Sequence, residues 1–218
     1  DDCLEALSFS RPDLLAEIAE AYIGAGAELL TTNTFGASPT ALARHGLADR
    51  TSDLNRAAVD AIKGAAAGRA LISGSVGPTG IMLAPLGDGE PAEIRIGFEE
   101  QIAALVAAGA DIVCVETMMD LEEARLAVLA ARSVSADIPV IATMTFNPTP
   151  RGFFTAMGVS VAQARDGLVD AGADLIGANC GHGIEVMTEL AREVRAHACE
   201  PLVIQANAGL PESSRGEL

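Results

Sequence analysis

The sequence predicts an α/β protein, a (β/α)8 TIM barrel of which about six of the eight strands are visible. Three observations lead there. One phrase recurs three times: Ala25-Gly26-Ala27-Glu28, Ala108-Gly109-Ala110-Asp111 and Ala171-Gly172-Ala173-Asp174. Each copy follows a helical pattern and precedes a short apolar run, as a helix does when a left-handed glycine ends it and a buried strand follows. Second, six such runs appear, at 28–33, 70–75, 111–116, 139–145, 174–179 and 201–206. Their starts lie about 27 to 42 residues apart, room for one strand, one helix and two loops per unit. Third, every run ends in polar, Gly-rich residues, where parallel α/β folds place their chemistry.

The elements follow in order. A helix is expected over 10–24, with Pro12 in its first turn and Ser10 as its cap. The stretch 93–108 sets Ile94, Phe98, Ile102, Leu105 and Val106 on one helical face. Asp120-Leu121-Glu122-Glu123 reads as a loose capping box, and Ser160-Val161-Ala162-Gln163 as a full one. The rival architecture is a doubly wound open sheet, but no Gly-x-Gly-x-x-Gly opens a helix. No strand precedes the first helix, and the sequence stops soon after the sixth run. The expectation is therefore one partial barrel domain over 1–218, a piece lacking its first and last strands. The absent initiator Met agrees with that reading.

Composition narrows the function. Half of the 218 residues are apolar and a fifth are charged, so a packed core is expected. The 14 Lys and Arg against 30 Asp and Glu give a net charge of −16. That balance argues against nucleic acid and anionic membranes, both of which reward clustered cations. No apolar run approaches the roughly 18 residues of a membrane span, and the N-terminus has no signal-peptide pattern. The four cysteines, at 3, 114, 180 and 199, are far apart. They argue against a secreted disulfide framework and for a cytoplasmic home.

The strand ends supply the candidate residues. Cys180, between Asn179 and Gly181, reads as a nucleophile or metal ligand, or else as a small buried residue. Glu116 closes an apolar strand, where a carboxylate is costly unless paired. A substrate ammonium or a salt bridge to a neighbouring strand would pair it. Asn33, Thr34 and Gly36 offer hydrogen bonds and exposed N–H groups that a carboxylate could use, or form a loop stabilised by its own side chains. Cys114 sits mid-strand, Cys199 lies on the opposite rim, and Cys3 is expected in a frayed terminus. His182 reads as a solvated loop residue. The loops 77–92 and 147–159 are long enough to cover a substrate or dock a partner.

Six segments, in order, resemble the homocysteine S-methyltransferase family, and most of all its cobalamin-dependent branch. They are TTNTFGAS (31–38), SGSVGPTG (73–80), VETMMDLEEA (115–124), ATMTF (142–146), IGANCGHG (176–183) and QANAGLP (205–211). The resemblance implies zinc-dependent methyl transfer to the thiol of homocysteine, giving methionine. It matches Cys180 to the first of three zinc cysteines and Glu116 to the acid that takes the substrate ammonium. It matches Thr32 and Asn33 to the segment that seats the amino-acid portion. The donor it implies is methylcobalamin on a corrinoid-binding domain or protein, met at the long loops. The family's other two zinc cysteines, adjacent in Gly-Gly-Cys-Cys, do not occur in these 218 residues. The chain alone is therefore expected to hold zinc weakly and not to turn over. Two alternatives stand beside this reading: a truncated barrel serving as a binding or scaffold module, and a barrel enzyme for a small anion. A Schiff-base aldolase is disfavoured, because the sole lysine, Lys63, falls inside a helix.

Overall fold

The computed structural model describes residues 3–209. Six strands form one parallel sheet: β1 (Leu29–Thr31), β2 (Leu71–Val76), β3 (Ile112–Met118), β4 (Val140–Met144), β7 (Leu175–Asn179) and β8 (Leu202–Gln205). Their order in space is their order along the chain, β1-β2-β3-β4-β7-β8. This is the curled sheet of an incomplete TIM barrel, and each predicted run falls on one of its strands, β2 and β3 running one and two residues past the predicted ends. The doubly wound alternative fails, because its strand order would reverse at the sheet's middle. β5 (Asn147–Thr149) and β6 (Gly152–Phe154) make a separate antiparallel hairpin inside the 147–159 loop.

Eight helices accompany the strands among the described residues. They are α1 (Leu7–Ser10), α2 (Pro12–Gly24), α3 (Pro39–Ala43), α4 (Thr51–Ala66), α5 (Pro91–Ala108), α6 (Leu121–Val134), α7 (Val161–Ala171) and α8 (Ile184–His197). The helices α4 to α8 pack side by side along the outside of the sheet, and α2 lies on α4. Gly26, Gly109 and Gly172 have φ of +96°, +103° and +105°, the left-handed turns that the repeated phrase predicts. Ser160 and Gln163 close a reciprocal capping box on α7, and the Asp120 side chain caps α6 at the Glu122 N–H. One cap is corrected. Arg11 holds the N-cap position of α2, and the Ser10 hydroxyl turns back to the Ala6 carbonyl.

The core lies between sheet and helices. Ile72, Val113, Val115, Ala142, Met144, Ile176 and Ala178 face outward into it, with Phe98, Ile102 and Leu105 of α5 fully buried against them. Successive strand residues point to opposite faces. Ser73, Ser75, Cys114, Glu116, Thr143 and Asn179 therefore turn to the concave interior. Cys3 is not frayed: it is buried beside Ala37, Leu42 and Leu54. Among the described residues β1 and β8 do not pair. A cavity of about 500 Å³ opens beside β1 and α2, with Leu15, Leu29, Thr32, Asn33 and, from β8, Gln205 among its walls. No helix among the described residues is long and apolar enough to cross a membrane.

Candidate functional site

The strand ends of β2, β3, β4 and β7 converge on Glu116. Along β3 the side chains alternate between core and interior until Val115. There the register slips: Val115 faces Ala142, yet Met118 faces Met144, so β3 carries one residue more than β4. This bulge sends Val115 and Met118 both into the core and leaves Glu116 and Thr117, two consecutive polar residues, half-buried. Thr117 takes φ +61°, left-handed backbone that a β-branched residue rarely adopts. Such a conformation costs on the order of 1–3 kcal/mol and persists only where its surroundings impose it.

Glu116 is held from both sides. The Ser75 hydroxyl donates to its Oε1 at 2.5 Å, and the Asn179 amide reaches its Oε2 at 3.5 Å. Neither partner carries charge, and the ion pairs among the described residues do not include Glu116. Burial pushes its carboxyl above the usual range, against the opposing pull of the Ser75 bond. A carboxylate so placed gains most from an incoming cation.

Asn179 ties the strand ends together. Its Oδ1 accepts from the Thr117 N–H at 2.8 Å and from the Thr143 hydroxyl at 2.8 Å. Its Nδ2 donates to the Thr117 hydroxyl at 2.7 Å, and its carbonyl accepts from Thr145 at 3.1 Å. Cys180 follows directly, exposed, with φ +63°. Its N–H donates to the Gln205 carbonyl at 3.1 Å, and Asn207 N–H donates to the carbonyl of His182 at 3.0 Å. His182 is not solvated: it is half-buried, with its Nε2 out of reach of water and of any described partner.

The remaining predicted residues sit on the neighbouring strand end. Thr32 is buried. Its hydroxyl meets that of Thr34 at 2.6 Å and accepts from the Ser75 N–H at 3.1 Å, so it supports Ser75. Asn33 is half-buried, and its amide donates to the Leu4 carbonyl at 2.7 Å. The N–H of Gly36, offered by the sequence to a ligand carboxylate, is taken at 2.8 Å by the chain's own Glu5. Cys114 is buried within β3, and Cys199 is exposed before β8 on the far rim. Leu210 and Pro211, which end the last motif, lie outside the described residues.

Sequence reasoning missed Ser75's bond to Glu116 and the bridging by Asn179, Thr117 and Thr143. One signal was present. Val113 and Val115 keep period two, and Glu116-Thr117-Met118 breaks it by one residue, as a bulge does.

Zinc meets an incomplete donor set. No three His, Cys, Asp or Glu side chains among the described residues cluster as a metal site. A catalytic zinc needs three protein ligands and an open position, and Cys180 has no second thiolate beside it. The described residues do not fit that ion.

A model of the homocysteine S-methyltransferases matches residues 2–218. The chain belongs to that family. The methionine synthase of Mycobacterium tuberculosis is 35% identical over 227 residues, covering 97% of this chain and 18% of that protein. The methionine synthase of Mycobacterium leprae is 33% identical over 221 residues, again covering 97% of this chain and 18% of that protein. The chain thus spans 18% of the length of these relatives. Among solved structures, the metallated form of the homocysteine methyltransferase MmuM from Escherichia coli superposes with a TM-score of 0.81 at 22% identity, covering 93% of this chain and 75% of that one. That likeness carries the fold.

Proposed function

We propose that this chain is the homocysteine-binding part of an S-methyltransferase that makes methionine, with Glu116 as the acceptor of the substrate ammonium. The observation that carries the reading is Glu116 itself: a half-buried carboxylate on the interior face, hydrogen-bonded by Ser75 and Asn179 and met by no described cation. An ammonium against it forms charge-assisted hydrogen bonds in a poorly solvated setting, where they are strongest. Ser75, braced by Thr32, fixes the carboxylate on one side. Asn33 borders the same strand end and would flank the amino-acid portion. The thiol end of the ligand then extends along the rim towards Cys180, one residue past Asn179. Of the described residues, Cys180 is the one a zinc ion would take, and it does not suffice alone.

In this reading the methyl donor is methylcobalamin carried by a corrinoid-binding module. Its support is the kinship with methionine synthases and the apolar side chains exposed in the loops beyond the strand ends: Phe35, Ile81, Met82, Met119 and Met157. The acidic balance of the chain favours a small-molecule role over nucleic acid.

The test is calorimetric titration of the chain with L-homocysteine, beside the variant Glu116→Gln. Losing one partner of a desolvated charge pair costs about 2–5 kcal/mol, so at least a roughly 30-fold loss of affinity is expected. Equal affinities would remove Glu116 from the binding site and the reading with it.

A further inference from the structure

We infer that Asn179 is a positioning residue: its side-chain amide holds the β3 bulge in its left-handed form and fixes Oε2 of the Glu116 carboxylate, which strand alternation turns to the interior. The inference rests on the reading of Glu116 as the ammonium acceptor. It starts from the hydrogen-bond inventory of one buried amide. A backbone N–H can only donate, so the Thr117 N–H fixes which end of the amide is the oxygen. Nδ2 is then forced to face the Thr117 hydroxyl and Glu116 Oε2. Every polar position of this side chain is used, and three of its four contacts go to residues 116 and 117.

Among the described residues no other group accepts the Thr117 N–H. Thr117 is β-branched and left-handed, a state that relaxes to ordinary extended backbone if its N–H loses its acceptor. Relaxation restores period two. Glu116 and Thr117 would then face opposite sides, and the following Met118, now fully buried, would be driven out of the core. The Glu116 carboxylate is therefore fixed by Ser75 on one side and by Asn179, on a strand two places away, on the other, and Asn179 also keeps Met118 out of the interior. Thr143 on the intervening β4 and Thr145 just past its end lock Asn179 in turn, through its Oδ1 and its carbonyl.

The experiment compares two ligands, L-homocysteine and γ-mercaptobutyrate, which lacks only the amino group. Asn179→Ala is expected to weaken homocysteine by about tenfold or more while leaving γ-mercaptobutyrate within about twofold, because only the ammonium reads Glu116. A merely structural residue would weaken both alike, and that result would overturn the inference. Adding Thr117→Gly supplies a residue that takes the left-handed conformation freely. The double variant is expected to recover at least about threefold of the lost homocysteine affinity, since a tenfold step is only 1.4 kcal/mol. No recovery would contradict the strained-bulge account.

Amide exchange at Thr117 judges the clamp without any ligand. Its N–H should exchange at least about tenfold faster in Asn179→Ala, with core amides unchanged. An unchanged rate overturns the inference even if neither ligand binds. Wild-type chain that fails to prefer homocysteine over γ-mercaptobutyrate would instead count against the ammonium reading, leaving the exchange result to decide the clamp.

Discussion

Replacing Glu123 by alanine or by glutamine should give two very different proteins. Glu123 lies in the first turn of α6 and is only 6% exposed. Its Oε1 accepts from the Thr79 N–H at 2.8 Å and from the Thr79 hydroxyl at 2.6 Å, and Arg44 binds the Thr79 carbonyl. This is the anchor of the 77–92 loop. Alanine leaves two buried donors without an acceptor, a loss of about 2–6 kcal/mol at 1–3 kcal/mol per orphaned group. For a chain of this size that corresponds to roughly 4–24 °C in Tm. Glutamine keeps an oxygen facing Thr79 and carries no charge. Burial holds the Glu123 carboxyl above its usual range, against the pull of the two Thr79 bonds. The sign follows: an acid whose folded pKa is raised favours the fold below its unfolded pKa and loses that advantage as pH rises through the folded value. Glutamine cannot ionise, so Glu123→Gln should gain on wild type between pH 5 and neutrality, by the circular-dichroism midpoint of urea unfolding. If glutamine proves as damaging as alanine at neutral pH, the ionised carboxylate is what holds the loop, and the burial argument is wrong.

Three further outcomes are expected. Homocysteine affinity should fall as pH drops through the raised pKa of Glu116, because only the carboxylate form pairs with ammonium; calorimetry at a series of pH values reads this, and flat affinity contradicts it. In the native chain a thiol reagent should label Cys180 and Cys199 quickly and spare Cys114, whose thiol burial pushes up, until the chain unfolds; rapid native labelling of Cys114 would place β3 at the surface. Gly177→Ala should loosen β8 from β7, since a Cβ there collides with the Val203 carbonyl oxygen; the Ile176 and Cys180 amides, which bond to β8 and its approach, should then exchange about tenfold faster.

The barrel was legible because its signals are local. A left-handed glycine after each helix, an apolar run of strand length and a capping box depend on neighbours in sequence, and Gly109, Gly172 and Ser160 behave as their context requires. Glu116 was legible for a similar reason, as a charge at the end of an apolar run. The residues that hold it were not. Ser75 is 41 positions away and Asn179 is 63, and only strand register brings them together. The hairpin β5–β6 was hidden because three-residue strands carry too little pattern to register. Glu5 was overlooked on Gly36 for want of any signal that the N-terminal segment folds back over the β1 end. Burial of Cys3 was illegible on the same account, since burial of a terminus depends on what it packs against.

The most direct measurement is the affinity of the wild-type chain for L-homocysteine against γ-mercaptobutyrate, by calorimetry at neutral pH. If Glu116 is the ammonium acceptor, homocysteine binds tighter by at least about 30-fold, the lower end expected for a desolvated charge pair. Equal affinity for the two thiols would contradict the account, because the one group that Glu116 is placed to recognise would make no difference.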